Sequence, residues 1–140
     1  MSQEDYYVEA AQKGNLEVVR ELVEKMTHAA ALEGHYELVK LLVNHRTDID
    51  QVLLKAASRG HLKIVKLCLK QGAIPDPWDD NKWTPLMWAA YRGHDDLVEL
   101  LLEAGANPNV SDDAQRSPLS LANQRQHKKI TKLLKKAGAK

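Results

Sequence analysis

Apolar residues recur along this chain at the spacing of short amphipathic helices, which glycines separate from one another. In the clearest example, Thr84 and Pro85 suit the first turn of a helix, because the threonine hydroxyl can cap it and proline needs no N–H there. Gly93 ends this helix, and a second helix is predicted from about Asp95 to Gly105. Two helices this short cannot bury their apolar faces alone, so the pattern predicts neighbouring copies of the pair.

Copies of the pair do follow one another, at an offset of 33 residues. Arg-Gly-His at 92–94 also occurs at 59–61 and returns as Arg-Gln-His at 125–127. Paired alanines and paired leucines keep the same offset: Ala56-Ala57 and Ala89-Ala90, Leu100-Leu101 and Leu133-Leu134. A repeat of this length carrying Thr-Pro-Leu, Ala-Ala, Gly-His and Leu-Leu resembles the ankyrin-repeat family.

The resemblance covers essentially the whole chain and implies an all-α fold. The expected architecture is an ankyrin-repeat solenoid of about five helix pairs, in a single domain of residues 1–140. The pairs are expected at about residues 4–25, 27–44, 50–70, 84–104 and 117–137. The resemblance also implies β-hairpin fingers in the longer connections, and binding of other proteins without catalysis.

The first two junctions are shorter than the family pattern. Gly14 lies 20 residues before Gly34, and Gly34 lies 26 residues before Gly60, instead of 33. Only residues 24–26 join the first two pairs, so a turn without a finger is expected there.

Full-length connections occur only at residues 73–83 and 106–116, so hairpin fingers are expected only before the fourth and fifth pairs. Lys82 and Gln115 stand at the finger tips where the family has glycine.

Charge and composition exclude several classes of protein. The formal net charge is +1, so no overall field drives the molecule to nucleic acid or membrane. One cysteine rules out an internal disulfide and indicates a reducing compartment. No apolar run approaches the ~20 residues of a membrane span, and the acidic, polar start does not resemble a secretory segment. We expect an intracellular monomer of the cytoplasm, or of the nucleus.

The histidines do not form an evident catalytic or metal site. Four of the six, His35, His61, His94 and His127, occupy the same position of successive pairs, and no cysteine or carboxylate recurs beside them in ligand register. This favours structural histidines over zinc binding or acid–base catalysis. Cys68 falls at an apolar position, which favours a small buried residue over a reactive thiol. We expect no enzyme activity, cofactor, metal or small-molecule substrate.

Arginines occupy the position before the repeat glycine in three pairs: Arg59, Arg92 and Arg125, the last of them before Gln126, which replaces the glycine. By resemblance this position lies on the concave face, where arginines in register would suit carboxylates or phosphates of a partner. The alternative is a solvated face partly neutralised by neighbouring acids.

Aromatic residues are concentrated around the first finger. All three tryptophans lie within eleven residues, and Tyr91 follows closely. Exposed tryptophan and tyrosine often anchor protein interfaces, so at least two of the four are expected to be accessible; the alternative is that one or two pack under the finger. The predicted partner-binding residues are Arg59, Trp78, Asp80, Trp83, Trp88, Tyr91, Arg92 and Arg125.

The C-terminal stretch gives the competing hypothesis. Residues 120–140 contain seven basic residues and no acidic one. A Lys-rich amphipathic helix can bind anionic membrane or nucleic acid. A terminal repeat also needs a polar outer surface, and we favour this capping role. The leading hypothesis is therefore a non-enzymatic scaffold that binds another protein through the concave face and fingers of its last three pairs.

Overall fold

The computed structural model of the protein describes residues 1–140 and contains nine α-helices and no β-strand. The helices, in chain order, are α1 (Gln3–Gln12), α2 (Leu16–Glu33), α3 (Tyr36–Leu42), α4 (Ile49–Ser58), α5 (Leu62–Lys70), α6 (Pro85–Arg92), α7 (Asp95–Glu103), α8 (Pro118–Gln124) and α9 (Lys128–Lys136). No helix is both long enough and apolar enough to cross a bilayer.

The helices form two layers, as the repeat pattern predicts. The C-terminal half of α2 and helices α4, α6 and α8 make the inner layer, and α3, α5, α7 and α9 make the outer layer, with each helix touching the next one in its layer. A cluster of 21 buried residues runs without interruption from α2 to α9. Alanines fill the inner-helix positions of this core, which lets short helices approach closely. The all-helical solenoid is confirmed.

Local signals set the helix ends in the later pairs. The Thr84 side chain caps α6 by accepting a hydrogen bond from the Met87 N–H at 3.3 Å, and Pro85 takes the first helical position. Ser117 caps α8 in the same way, with Ser120 completing a reciprocal capping box. The left-handed Gly93 ends α6 at a φ of 80°. These elements begin and end where the sequence predicts.

The predicted turn at residues 24–26 is wrong. Helix α2 is 18 residues long and includes residues 24–26. The outer helix of the first pair and the inner helix of the second are therefore one continuous helix. Glutamate, lysine and methionine are strong helix formers, and no glycine or proline interrupts α2. The buried Thr27 hydroxyl donates to the Val23 carbonyl at 2.7 Å, so it needs no turn to be satisfied.

The two long connections are present at the predicted places, but their hairpins are reduced to single turns. In the first finger the Asp79 N–H donates to the Trp83 carbonyl at 3.0 Å, and the Lys82 N–H donates to the Asp79 carbonyl at 2.9 Å. Asp112, Gln115 and Arg116 repeat this arrangement in the second finger, at 2.9 and 3.1 Å. Neither finger extends into paired β-strands.

Candidate functional site

The predicted arginines lie at equivalent ends of consecutive inner helices. Arg59 follows α4, Arg92 is the last residue of α6, and Arg125 follows α8. A cation is favoured at this end of a helix because the unpaired carbonyls there carry partial negative charge. All three side chains are exposed. We call these three residues the arginine row.

A groove of about 470 Å³ separates the inner helices from the first finger. Its floor comes from α2, α4 and α6, and its wall comes from the finger. Five of the eight predicted residues line it: Arg59, Trp78, Asp80, Trp88 and Arg92. We call this the inner groove. It is a mixed surface, in which two indole rings lie among basic and acidic side chains.

The four aromatic residues differ in accessibility. Trp78 is 65% exposed, and it is the only one whose ring is largely open to solvent. Trp88 and Tyr91 are half-buried. The Trp88 indole donates to the Asp79 carboxylate at 2.8 Å, which fixes the ring against the wall of the groove.

Trp83, one of the predicted partner-binding residues, is buried and is not an accessible anchor. The side chain is only 6% exposed and packs with Met87 and Leu121 in a small apolar cluster. Its indole N–H donates to the buried Asp112 carboxylate at 2.8 Å, so it joins the two fingers. Trp83 thus takes the alternative role that the sequence left open, as a brace beneath a finger.

Each aromatic ring of this cluster carries a guanidinium against it. Arg92 lies 5.4 Å from the Trp88 centroid, Arg116 lies 5.3 Å from Trp83, and Arg125 lies 4.7 Å from Tyr91. These distances are within the range of cation–π attraction. Arg125 also donates to the Tyr91 hydroxyl at 3.1 Å. The arginines are therefore held in defined orientations rather than left free in solvent.

Aspartates at equivalent positions organise both fingers. Asp79 accepts from the Asn81 and Trp83 N–H groups at 2.9 and 3.0 Å, and Asp112 accepts from the Ala114 and Arg116 N–H groups at 3.0 and 2.9 Å. Sequence reasoning did not assign this role, although the two aspartates are 33 residues apart at the start of each tip.

Asp112 stays ionised in spite of its burial. Burial by itself would raise the pKa of this carboxyl, but hydrogen bonds from the Arg116 N–H, the Trp83 indole and the Arg116 guanidinium outweigh it and lower the pKa to about 2. The carboxylate is therefore charged at neutral pH and binds the second finger to the first.

The residues that replace glycine at the finger tips have strained backbone conformations. Lys82 and Gln115 adopt left-handed conformations, with φ of 61° and 60°, although neither is glycine. This conformation costs about 1 kcal/mol for an ordinary residue. Lys82 recovers part of it through an ion pair with Asp113 at 2.9 Å.

The repeated histidines link neighbouring pairs. The His61 Nε2 donates to the Leu32 carbonyl at 2.8 Å, and the His127 Nε2 donates to the Tyr91 carbonyl at 3.1 Å. Both acceptors lie on the preceding inner helix. The structural interpretation of these two histidines is confirmed.

Cys68 has no solvent contact, and burial raises the pKa of its thiol to about 12. It packs as a small apolar residue, as the sequence predicts.

The chain matches a model of a known protein family. A family model described as "Ankyrin repeats (3 copies)" matches residues 27–112, from the second half of α2 to the second finger. No curated protein matches the chain.

Proposed function

Because the chain belongs to the ankyrin-repeat family, whose members are generally protein–protein interaction modules, we propose that it is a monomeric, non-enzymatic scaffold that binds another protein along the inner groove. The proposed contact residues are those of the groove together with the neighbouring Tyr91 and Arg125. Trp83 is left out because it is buried. The observation that carries the proposal is that five residues selected from sequence alone line the same groove.

The physical basis of binding is preorganisation. The Trp88 indole is hydrogen-bonded to Asp79, and the Arg92 guanidinium lies against the same indole ring. Side chains that are already ordered lose little conformational entropy when a partner covers them. Trp78, which is exposed next to this ordered cluster, provides the apolar area that commonly anchors a partner.

Affinity capture with matched variants tests the proposal. Four forms of the protein are immobilised: wild type, Trp78→Ala, Arg92→Gln and Lys66→Gln. The proteins that each form captures from a cell lysate are quantified by mass spectrometry. Lys66 is exposed on the outer helix α5, so its variant changes charge as Arg92→Gln does but away from the groove.

We expect one captured protein to bind wild type and Lys66→Gln equally. The amount captured by Trp78→Ala and by Arg92→Gln should be at least tenfold lower. If every captured protein is retained equally by all four, the inner groove is not the binding surface. The melting temperatures of the variants are compared first, so that loss of folding is not read as loss of contact.

A second candidate function is binding of an anionic surface by α9. Its five lysines are all exposed: Lys128, Lys129, Lys132, Lys135 and Lys136. None lies within 4.0 Å of a carboxylate. Ile130 and Leu134 on the same helix are fully buried, so α9 also closes the core. Binding to anionic vesicles that disappears with Lys132→Gln and Lys136→Gln would favour this candidate over the inner groove.

A further inference from the structure

The arginine row presents charge that the protein itself leaves largely unneutralised. No carboxylate lies within 4.0 Å of the guanidinium of Arg92 or Arg125, and Arg59 has only a loose contact with Glu33 at 3.8 Å. Lys55 adds a further unpaired cation on the floor of the inner groove. The N–H groups of the arginine row that no internal carboxylate occupies are therefore available to bind an anion.

Acidic side chains near the groove are mostly engaged elsewhere. Asp79 receives three hydrogen bonds from its own finger and Trp88, and Asp112 is buried beneath the second finger. Asp113 is paired with Lys82. Asp80 and Glu33 are the exceptions, because both are exposed: Asp80 belongs to the finger wall, and Glu33 ends α2 beside Arg59. The ends of α4, α6 and α8 thus form a basic row, even though the net charge of the chain is +1.

Aromatic rings hold two guanidiniums of the arginine row in place. The Arg92 guanidinium lies over the Trp88 ring and the Arg125 guanidinium over the Tyr91 ring. Arg125 uses one N–H group to donate to the Tyr91 hydroxyl, and its remaining N–H groups have no carboxylate partner. Arginine recognises carboxylates through its N–H groups, in a planar bidentate pair. The ring contacts therefore order the arginines for a carboxylate partner and occupy the ring faces that a foreign cation would need.

The spacing of the row suggests the shape of the partner. Adjacent packed helices lie about 8–10 Å apart, and the arginines sit at equivalent positions of consecutive inner helices. An extended polyproline-type segment rises about 3.1 Å per residue with three residues per turn, so every third side chain recurs on one face after about 9 Å. One carboxylate at every third residue matches one arginine per helix.

From these observations we infer that the inner groove and the arginine row bind an extended acidic segment of the partner protein, with carboxylates at every third residue. The inference rests on the protein-binding function proposed above and adds the chemistry of the partner. Singly charged carboxylates fit the row better than phosphate, because a phosphate dianion requires several donors converging on one point, whereas these arginines are spread along three helices. Trp78 contacts an apolar residue beside the acidic positions.

A designed peptide probes this chemistry directly. A fluorescently labelled peptide of repeated Glu-Pro-Ala is titrated with the protein and followed by fluorescence anisotropy at physiological salt. Two comparison peptides have the repeat Gln-Pro-Ala, or the same composition with all glutamates contiguous. The spaced acidic peptide is expected to bind at least tenfold more tightly than either one.

Matched variants connect the binding to the arginine row. The double variant Arg92→Gln/Arg125→Gln is expected to weaken binding at least tenfold. The control variant Lys63→Gln/Lys66→Gln makes the same charge change at exposed positions of the outer helix α5, and it is expected to weaken binding less than twofold. Arg92→Lys keeps the charge but loses the planar fork, so an intermediate loss is expected. Arg92 and Arg125 are exposed, so the melting temperature of the double variant should fall only by the loss of their contacts with Trp88 and Tyr91. Arg92→Lys gives an independent measurement if the double variant is less stable.

Several results would overturn the inference. The first is the absence of saturable binding up to the highest protein concentration of the titration. The others are equal weakening by both double variants and equal binding of the contiguous peptide. Tighter binding of a Ser-Pro-Ala peptide phosphorylated on its serines would assign the row to phosphate, and displacement of the peptide by duplex DNA would assign it to nucleic acid. If the peptide fails while captured proteins still depend on Trp78 and Arg92, the protein-binding function stands and only the acidic segment is wrong.

Discussion

At the scale of single residues, His28 departs most clearly from the repeat pattern. It stands on α2 six residues before Gly34, where α4 and α6 carry the buried Leu54 and Met87. Its Nε2 is buried and has no hydrogen-bond partner. An unpaired polar atom at an apolar position costs about 1–3 kcal/mol, so this residue weakens the packing between α2 and α4.

Titration of His28 should make stability depend on pH. Burial, and then the nearby Lys55, lower the pKa of this imidazole below its usual value, with Glu24 and Asp48 opposing them in part. The native state therefore holds the neutral form, while the unfolded chain, with a pKa of about 6.5, gains a proton as the pH falls. The free energy of unfolding should therefore be highest above about pH 7 and should decrease progressively as the pH falls below it.

Replacing the imidazole by an apolar side chain should remove this cost. His28→Leu is expected to raise the free energy of unfolding by about 1–2 kcal/mol at pH 7, and by more at pH 5. Urea unfolding at pH 7 and at pH 5 measures this change in the free energy of unfolding. Burial also lowers the pKa of His94, so part of the slope should remain. His45→Leu, the same substitution at an exposed position, is the control and should leave the free energy of unfolding at pH 7 unchanged. An unchanged slope in His28→Leu would mean that His28 is solvated.

Single-residue roles could be predicted from sequence only where the repeat fixes them. The structural histidines, the buried Cys68 and the exposed arginines follow from their positions in the repeat. The burial of Trp83 does not, because it depends on the second finger bringing Asp112 to the indole from 29 residues away. Sequence could place Trp83 beside a finger, but it could not show which of the four aromatic residues the fingers cover.

At the scale of elements, α2 shows local propensity prevailing over the repeat pattern. The family pattern calls for a turn between two helices at residues 24–26, whereas every residue from 16 to 33 is compatible with a helix. The Glu21–Lys25 ion pair at 3.0 Å, spaced four residues apart, adds support on the exposed side. The finger positions were predictable from connection length. Their failure to form strands was not, because a loop of that length permits either arrangement.

A proline at residue 24 tests whether α2 is continuous. Glu24 is exposed, and proline there removes a helical N–H and clashes with the carbonyl of Arg20. Glu24→Pro is expected to cost about 3 kcal/mol or more and to lower the helical circular dichroism. Glu24→Ala removes the same side chain without breaking the helix, and should change stability by less than about 0.5 kcal/mol. A proline variant as stable as the alanine variant would restore the turn that the repeat pattern predicts.

At the scale of the whole molecule, glycine–histidine contacts join successive pairs along the stack. A Cβ atom placed on Gly34, Gly60 or Gly93 would come within 2.5–2.7 Å of the His61, His94 or His127 ring of the next pair. These glycines are needed for the close approach of neighbouring pairs as well as for their positive φ. Gln126 occupies the equivalent position of the fifth pair and also takes a positive φ, of 61°.

Two alanine substitutions can separate these two requirements. Gly60 and Gly72 both have positive φ, 80° and 94°, but a Cβ on Gly72 would meet nothing within 4 Å. Gly72→Ala should therefore cost only the backbone strain, about 1 kcal/mol. Gly60→Ala should cost at least ~2 kcal/mol, because it must also displace the His94 ring and loosen the packing of α4 on α6.

A double-mutant cycle completes the argument, because the extra cost of Gly60→Ala should depend on the histidine it meets. In the His94→Ala background the cost of Gly60→Ala should fall to that of Gly72→Ala, while the cost of Gly72→Ala stays the same. Denaturant unfolding of the single and double variants measures the coupling. Stability in a solenoid is the sum of pair stabilities and of the interfaces between them. A double variant that is at least about 1 kcal/mol less destabilised than the sum of the single variants would show that the His94 ring is packed firmly between the third and fourth pairs. Additive effects would mean that the ring moves aside freely and that the alanine-rich core alone joins the pairs.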